Sequence, residues 1–172
     1  LSTSILLNGL FSHVAELDDG TRFGMIHPGA PIFSAMLPVA QSRNIKPKDF
    51  INGIIVAYET SIRLAYAIQP SHYGLGYHPT ATCGSVGVSA GISTMLGFSK
   101  KKLKDAMSSA MISSAGSLKV IENSSQLKPF NAGRPAVVGY LSSIMAEAGF
   151  EGPSDALGGK TGFLSMMSTS FD

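Results

Sequence analysis

The stretch PKDFINGIIVAYETSIRLAYAIQ, residues 47–69, opens on a proline and then repeats apolar side chains at helical spacing. Proline holds φ near the helical value, and the N–H it lacks is one that a first turn leaves unpaired, so Pro47 marks a helix start. Phe50, Ile54, Ala57 or Tyr58, Ile62 and Ala65 then fall on one stripe with Arg63 off it, the period of an amphipathic helix. No segment shows sustained alternation of apolar and polar residues, so no strand is expected and the fold class is all-α.

The same spacing extends to both sides. Ile5, Leu6, Leu10, Phe11, Val14 and Leu17 predict a first helix of about four turns, stopped at Asp18, Asp19 and Gly20. Residues 31–43 predict a second, with Pro38 as a kink. Beyond residue 69, the loop PSHYGLGY leads into HPTATCGSVGVSAGISTMLG, a small-residue helix ending at Gly97. Ser99 is a good cap for the next helix. Residues 117–134 read as irregular, and a last helix runs from Pro135 through Ala148 to its stop at Gly149. The tail FEGPSDALGGKTGFLSMMSTSFD shows little periodicity. Glycine and alanine are expected at close helix crossings, and no internal repeat is present.

A chain of 172 residues normally makes one domain and can bury a core. A hydrophobic share of 44% and a net charge of +2 exclude a disordered segment and argue against a nucleic-acid partner. Lys100 to Lys102 with Lys104 form a run that reads as a solvated helix face. The lone cysteine, Cys83, excludes an internal disulfide and a multi-cysteine metal site, which fits a reducing, cytoplasmic setting, and its small neighbours mark it as a buried packing thiol. Residues 79–99 carry no charge and reach the roughly 20 residues that cross a bilayer. Serine, threonine and glycine dominate them, so a helix buried against other helices is expected and no membrane partner. The start, LSTSILLNGLF, has no basic region before its apolar part and does not read as a signal peptide. It reads as the interior of a longer protein.

The chemistry concentrates in HVAELDDGTRFGMIHPG, residues 13–29, which holds two histidines, three carboxylates, a threonine and an arginine. His27 and His78 each precede a proline at a predicted helix start, so both imidazoles are expected at helix amino ends, where free N–H groups favour anions. A neutral histidine there can bind a carboxylate and move a proton, and a plain capping role is the alternative. Asp18 and Asp19 close the first helix at its negative end, where carboxylates are unfavourable. Either Arg22 holds them in a structural ion pair or one of them orients a histidine. The H-x-x-x-H spacing of a zinc helix is absent and no metal is expected. Lys128, in QLKPFNAGRP, precedes a proline too. Partly buried near a helix start it can serve as acid or base, against the alternative of a solvated loop lysine.

The order HVAELDDGTRFGMIHPGAP, then GYHPTATCGSVG, then QLKPFNAGRPAVVGYLSSIMAEAGFEGP resembles the MmgE/PrpD family, whose members include 2-methylcitrate dehydratase, cis-aconitate decarboxylase and iminodisuccinate epimerase. The resemblance implies that residues 1–153 are the large helical domain, truncated at its amino end. Residues 154–172 then lead toward a smaller α+β domain absent here, and the active site lies in the cleft between the two. Carried over by position, it puts the acid cluster at Glu16, Asp18 and Asp19, the hydroxyl at Thr21, histidines at His27 and His78, and the lysine at Lys128. It implies metal- and cofactor-free proton abstraction α to a carboxylate of a small di- or tricarboxylate, in a homodimer. His27 and Lys128 would share the proton transfers, Asp18 or Asp19 would position His27, and Glu16, Thr21 and His78 would bind substrate. Glu16 stands where decarboxylase-type members carry aspartate and Gly20 reads as an insertion before Thr21, which turns the expectation to 2-methylcitrate-type dehydration. The alternative is an inactive helical domain that serves interaction or carboxylate binding.

Overall fold

The computed structural model describes residues 1–123 and 125–172, and every regular element among them is helical. In chain order these are α1 (Ser2–Val14), α2 (Gly29–Ser42), α3 (Pro47–Ile68), α4 (Ser71–Gly74), α5 (Pro79–Met95) and α6 (Lys100–Ile112). A 3-10 turn (Leu118–Ile121), α7 (Phe130–Glu147) and α8 (Phe163–Met167) complete the order. Extended pairing among the described residues is confined to the single bridges Thr21–Ile26 and Tyr77–Ser117. The expectation of an all-α fold is met.

The central element is α5, buried at every residue from Pro79 to Ser93, with α3 and α7 as its main neighbours. Small residues let these backbones meet. A Cβ on Gly91 would lie 2.7 Å from the Cβ of Ala57, and one on Gly139 would lie 2.6 Å from the Cβ of Val88; both are closer than real side chains sit. The uncharged run is thus an interior helix, and among the described residues no helix is long and apolar enough to cross a membrane. Ile32, Met36, Val39, Val88 and Ile92 form the main apolar core beside α5.

The expected loop PSHYGLGY holds the short α4, and two of the long helices depart from the expected reading. The first ends at Val14 rather than Leu17, and its buried row is Ile5, Gly9 and His13, spaced by four. Phe11 and Val14 face outward. The reason is its crossing with α7: a Cβ on Gly9 would fall 2.4 Å from the Cα of Gly133, so the glycine row makes the contact and the larger apolar row cannot. The same crossing corrects α7, which starts at Phe130 and carries Pro135 inside it. Close packing of Gly133, together with the Asn131 side chain donating to the Ser117 carbonyl at 3.1 Å, holds residues 130–134 in the helix despite the N–H that proline lacks. Of the irregular stretch expected at 117–134, residue 124 lies outside the described residues.

Residues 154–172, where no helix was expected, include α8. Phe163 and Met167 are buried, and the fully buried His72 ring joins this end to the body, with Nδ1 2.6 Å from the Met167 carbonyl and Nε2 2.8 Å from the Thr82 hydroxyl.

Candidate active site

The loop of residues 15–28 between α1 and α2 is built to hold its charged groups in place. Directly after α1, Glu16 takes a left-handed backbone conformation with φ of 55°, the helix-ending conformation glycine usually supplies. Asp19 then caps α2 from a distance, its Oδ1 accepting from the Gly29 N–H at 2.9 Å and its Oδ2 from the Tyr58 hydroxyl at 2.8 Å. Burial, with Asp19 beside it, pushes the Tyr58 phenol up. The Thr21 N–H donates to the Ile26 carbonyl at 3.0 Å, and the Thr21 hydroxyl accepts from Gly24 N–H at 3.1 Å. The His27 N–H donates to Thr80 Oγ1 at 3.0 Å, which ties the loop to the start of α5.

The backbone of Asp19 sets the His27 ring. Nδ1 of His27 lies 2.8 Å from the Asp19 carbonyl; a carbonyl can only accept, so Nδ1 carries hydrogen and Nε2 is the nitrogen that takes a further proton. Asp18 Oδ2 stands 3.7 Å from the same Nδ1 and 2.7 Å from Nδ1 of the fully buried His13. The two imidazole centroids are 5.1 Å apart.

His78 is the extended N-cap residue of α5, anchored by its N–H on the Gly116 carbonyl at 3.0 Å. Its Nδ1 is buried without a partner. Burial, with His13, His27 and Lys128 adding to it, pushes this imidazole down to about 4, so His78 is neutral near pH 7. Lys128, on the segment entering α7, forms an ion pair with Glu16, 112 residues earlier in the chain. That pairing holds the Glu16 carboxyl below its ordinary value.

These groups meet at an open pocket of about 690 Å³. Thr21, His27, His78 and Lys128 line it, together with Arg22 and Tyr73. Asp18 and Asp19 stand behind the lining and Glu16 reaches it through Lys128. Among the described residues no carboxylate lines the pocket wall, which carries histidine, lysine and arginine side chains beside the apolar Met25, Ile26, Leu118 and Ile121. Arg22 forms no ion pair with Asp18 or Asp19 among the described residues, so the structural pair that spacing favoured gives way to capping by Asp19 and a histidine contact by Asp18.

Sequence reasoning did not assign His13 a role. Its signal was the position five residues before Asp18 in the same charged stretch, hidden because the apolar residues around it read as the buried face. One nitrogen each of His13 and His27 and one Asp18 oxygen lie within 4.8 Å of one another, a spacing that could admit a metal ion. Their hydrogen bonds oppose it: 2.7 Å between His13 and Asp18 is well under the ~3.3 Å that separates ligands 2.0–2.1 Å from a tetrahedral zinc. An ion would have to break that bond and reorient His27.

Known proteins are similar to this chain over most of its length. The family model of the MmgE/PrpD N-terminal domain matches residues 2–172. The cis-aconitate decarboxylase of Homo sapiens is 26% identical over 162 residues, covering 91% of this chain and 33% of that protein, and that of Mus musculus matches with the same identity and coverage. The cis-aconitate decarboxylase-like protein oryM of Aspergillus oryzae is 24% identical over 155 residues, covering 86% of this chain and 32% of its own length. The chain therefore spans about a third of these relatives.

Proposed function

This chain belongs to the MmgE/PrpD family, whose N-terminal domain it matches over residues 2–172, and from that premise we propose that it supplies the proton-transfer side of a lyase acting on a small di- or tricarboxylate. The observation that carries the reading is the His27 ring: Nδ1 held on the Asp19 carbonyl at 2.8 Å, which leaves Nε2 as the proton-accepting atom of a residue lining a pocket that, among the described residues, has no carboxylate in its wall. Arg22, Lys128 and the two histidines offer a polyanionic substrate cationic and N–H partners on a wall that is otherwise largely apolar, and a base needs a proton within hydrogen-bond reach.

In this reading His27 Nε2 takes a proton from the carbon α to a carboxylate. For dehydration of the 2-methylcitrate type, the C–H pair forms the double bond as the C–O bond breaks. The departing hydroxyl leaves as water with a proton from the Lys128 ammonium. Glu16 orients that ammonium through their ion pair, and Thr21 with neutral His78 binds the substrate carboxylates. Asp18 stands behind His27, and Asp19 shapes the loop by capping α2. A second reading, decarboxylation, is favoured by the names of the similar proteins: the C–CO₂ bond breaks and its electron pair takes a proton from the same acid. Neither reading calls for a metal or cofactor, and the complete protein is proposed to work as a homodimer in the cytoplasm.

The test uses the complete protein with 2-methylcitrate, citrate and cis-aconitate in heavy water. Deuterium uptake or product formation, lost on Lys128→Ala by at least about 100-fold, is the expected result. Near-normal turnover by Lys128→Ala removes the lysine from the mechanism. A folded wild type that neither exchanges nor converts any of the acids overturns the lyase reading in favour of an inactive carboxylate-binding or interaction domain.

A further inference from the structure

We infer that His13 is a positioning residue for His27, acting through Asp18; this rests on the proposed role of His27 as the base. The inference starts from an anomaly in α1. A helix normally spends its buried row on apolar residues, yet here Phe11 and Val14 are left 70% and 62% exposed while a histidine is fully buried. A buried imidazole carries a desolvation cost that an apolar side chain would avoid, and nothing in the packing of Ile5 and Gly9 requires a polar ring one turn further on.

What the ring does is visible in its contacts. Nδ1 of His13 lies 2.7 Å from Asp18 Oδ2, and among the described residues the carboxylate has no other hydrogen bond, since Oδ1 is buried without a partner. Buried carboxylates are ordinarily held by several donors. This one is held by a single donor and stands 3.7 Å from His27 Nδ1, beyond hydrogen-bond length but close enough to act on a charge there. His13 itself sits in the last turn of α1, where the helix's free carbonyls favour a cationic or donor side chain. When His27 takes a proton, its ring becomes cationic, and the carboxylate that His13 holds faces that charge. His13 does not line the pocket, so it touches no substrate and acts only through Asp18.

The test pairs two amides of similar polarity in the complete protein. Asparagine places its side-chain N–H near the position of Nδ1, whereas glutamine places it near Nε2, away from Asp18. The expected result is that His13→Gln lowers kcat roughly 10- to 100-fold with little change in KM, the range seen for residues that orient metal-binding histidines from behind, while His13→Asn recovers most of the lost rate. Asp18→Asn should lower kcat similarly, and adding His13→Gln to it should cost little more, because both act on one carboxylate. Wild-type kcat in folded His13→Gln, equal losses in both His13 variants, or fully additive losses with Asp18→Asn would each overturn the inference while leaving His27 as the base. If His13→Gln fails to fold by circular dichroism, the comparison of His13→Asn with Asp18→Asn decides: a preserved rate in the first and a reduced one in the second are required. Failure of the wild type to act on any of the acids overturns the proposed function and this inference with it.

Discussion

Asp19 Oδ1 accepts the backbone N–H of Gly29 at 2.9 Å across ten residues of loop, so a carboxylate of the charged loop also satisfies the start of the helix that follows it. Asp19→Ala should therefore destabilise the fold by about 1–2 kcal/mol, as other lost caps do. Tyr58→Phe, which removes the donor to Oδ2, should cost about 1 kcal/mol. Because both substitutions act on one carboxylate, the double variant should lose less than the sum. Thermal or urea unfolding of the set measures this, and full additivity would show that the two bonds are independent.

The crossing of α1 and α7 predicts a sharp contrast between glycines. Gly9→Ala puts a methyl 2.4 Å from the Gly133 Cα, where the obstacle is backbone that can move only by separating the helices, so a loss of at least about 1–3 kcal/mol is expected. Gly74→Ala, where nothing lies within 4 Å, should stay within about 0.5 kcal/mol of wild type. Equal melting temperatures for the two variants would contradict the packing.

His78 gives a pH dependence with a definite sign. Its folded value of about 4 lies below the ordinary 6.5, so between those values the unfolded chain binds the extra proton and stability rises with pH. The penalty is absent above about 6.5, grows as pH falls, and is complete below about 4; the depression corresponds to roughly 3 kcal/mol. His72 is depressed by burial in the same direction. His78→Gln should thus reduce the slope of unfolding free energy against pH in this window without abolishing it, as denaturant titrations at stepped pH would show.

Glu16 trades backbone comfort for its contact with Lys128. A non-glycine residue at φ of 55° carries a strain of roughly 1 kcal/mol, and the surface-accessible ion pair returns little stability. Glu16→Gly is therefore expected to melt at or slightly above the wild-type temperature while lowering turnover of the complete protein. A marked drop in melting temperature would mean that the pair with Lys128 is mainly structural.

Cys83 is fully buried and burial pushes its thiol up to about 12. A thiol of this kind is inert. At pH 8 a disulfide reagent should leave the native protein unlabelled and react in step with unfolding in denaturant; rapid labelling of folded protein would place the thiol on an accessible surface.

The sequence by itself determined the helical class, the interior position of α5, the proline-marked starts of α3 and α5, and the extended backbone of His78 before its helix. These depend on neighbours within a few residues: periodicity, proline's missing N–H and its steric effect on the preceding residue. It also pointed to the groups that gather at the pocket, through the order of motifs shared with a family. Tertiary structure decided the rest. Which row of α1 is buried depends on Gly133 of a distant helix, and the close approach of two glycine backbones outweighed the larger apolar row. The start of α7 depended on the same contact, which kept Pro135 inside a helix that local rules would begin there. The division of labour in the charged stretch was also hidden, because the partners of Asp19, Glu16 and Asp18 are Tyr58, Lys128 and a histidine on the inner face of α1. Spacing can name such groups, but only the packed helices bring their atoms within hydrogen-bond distance.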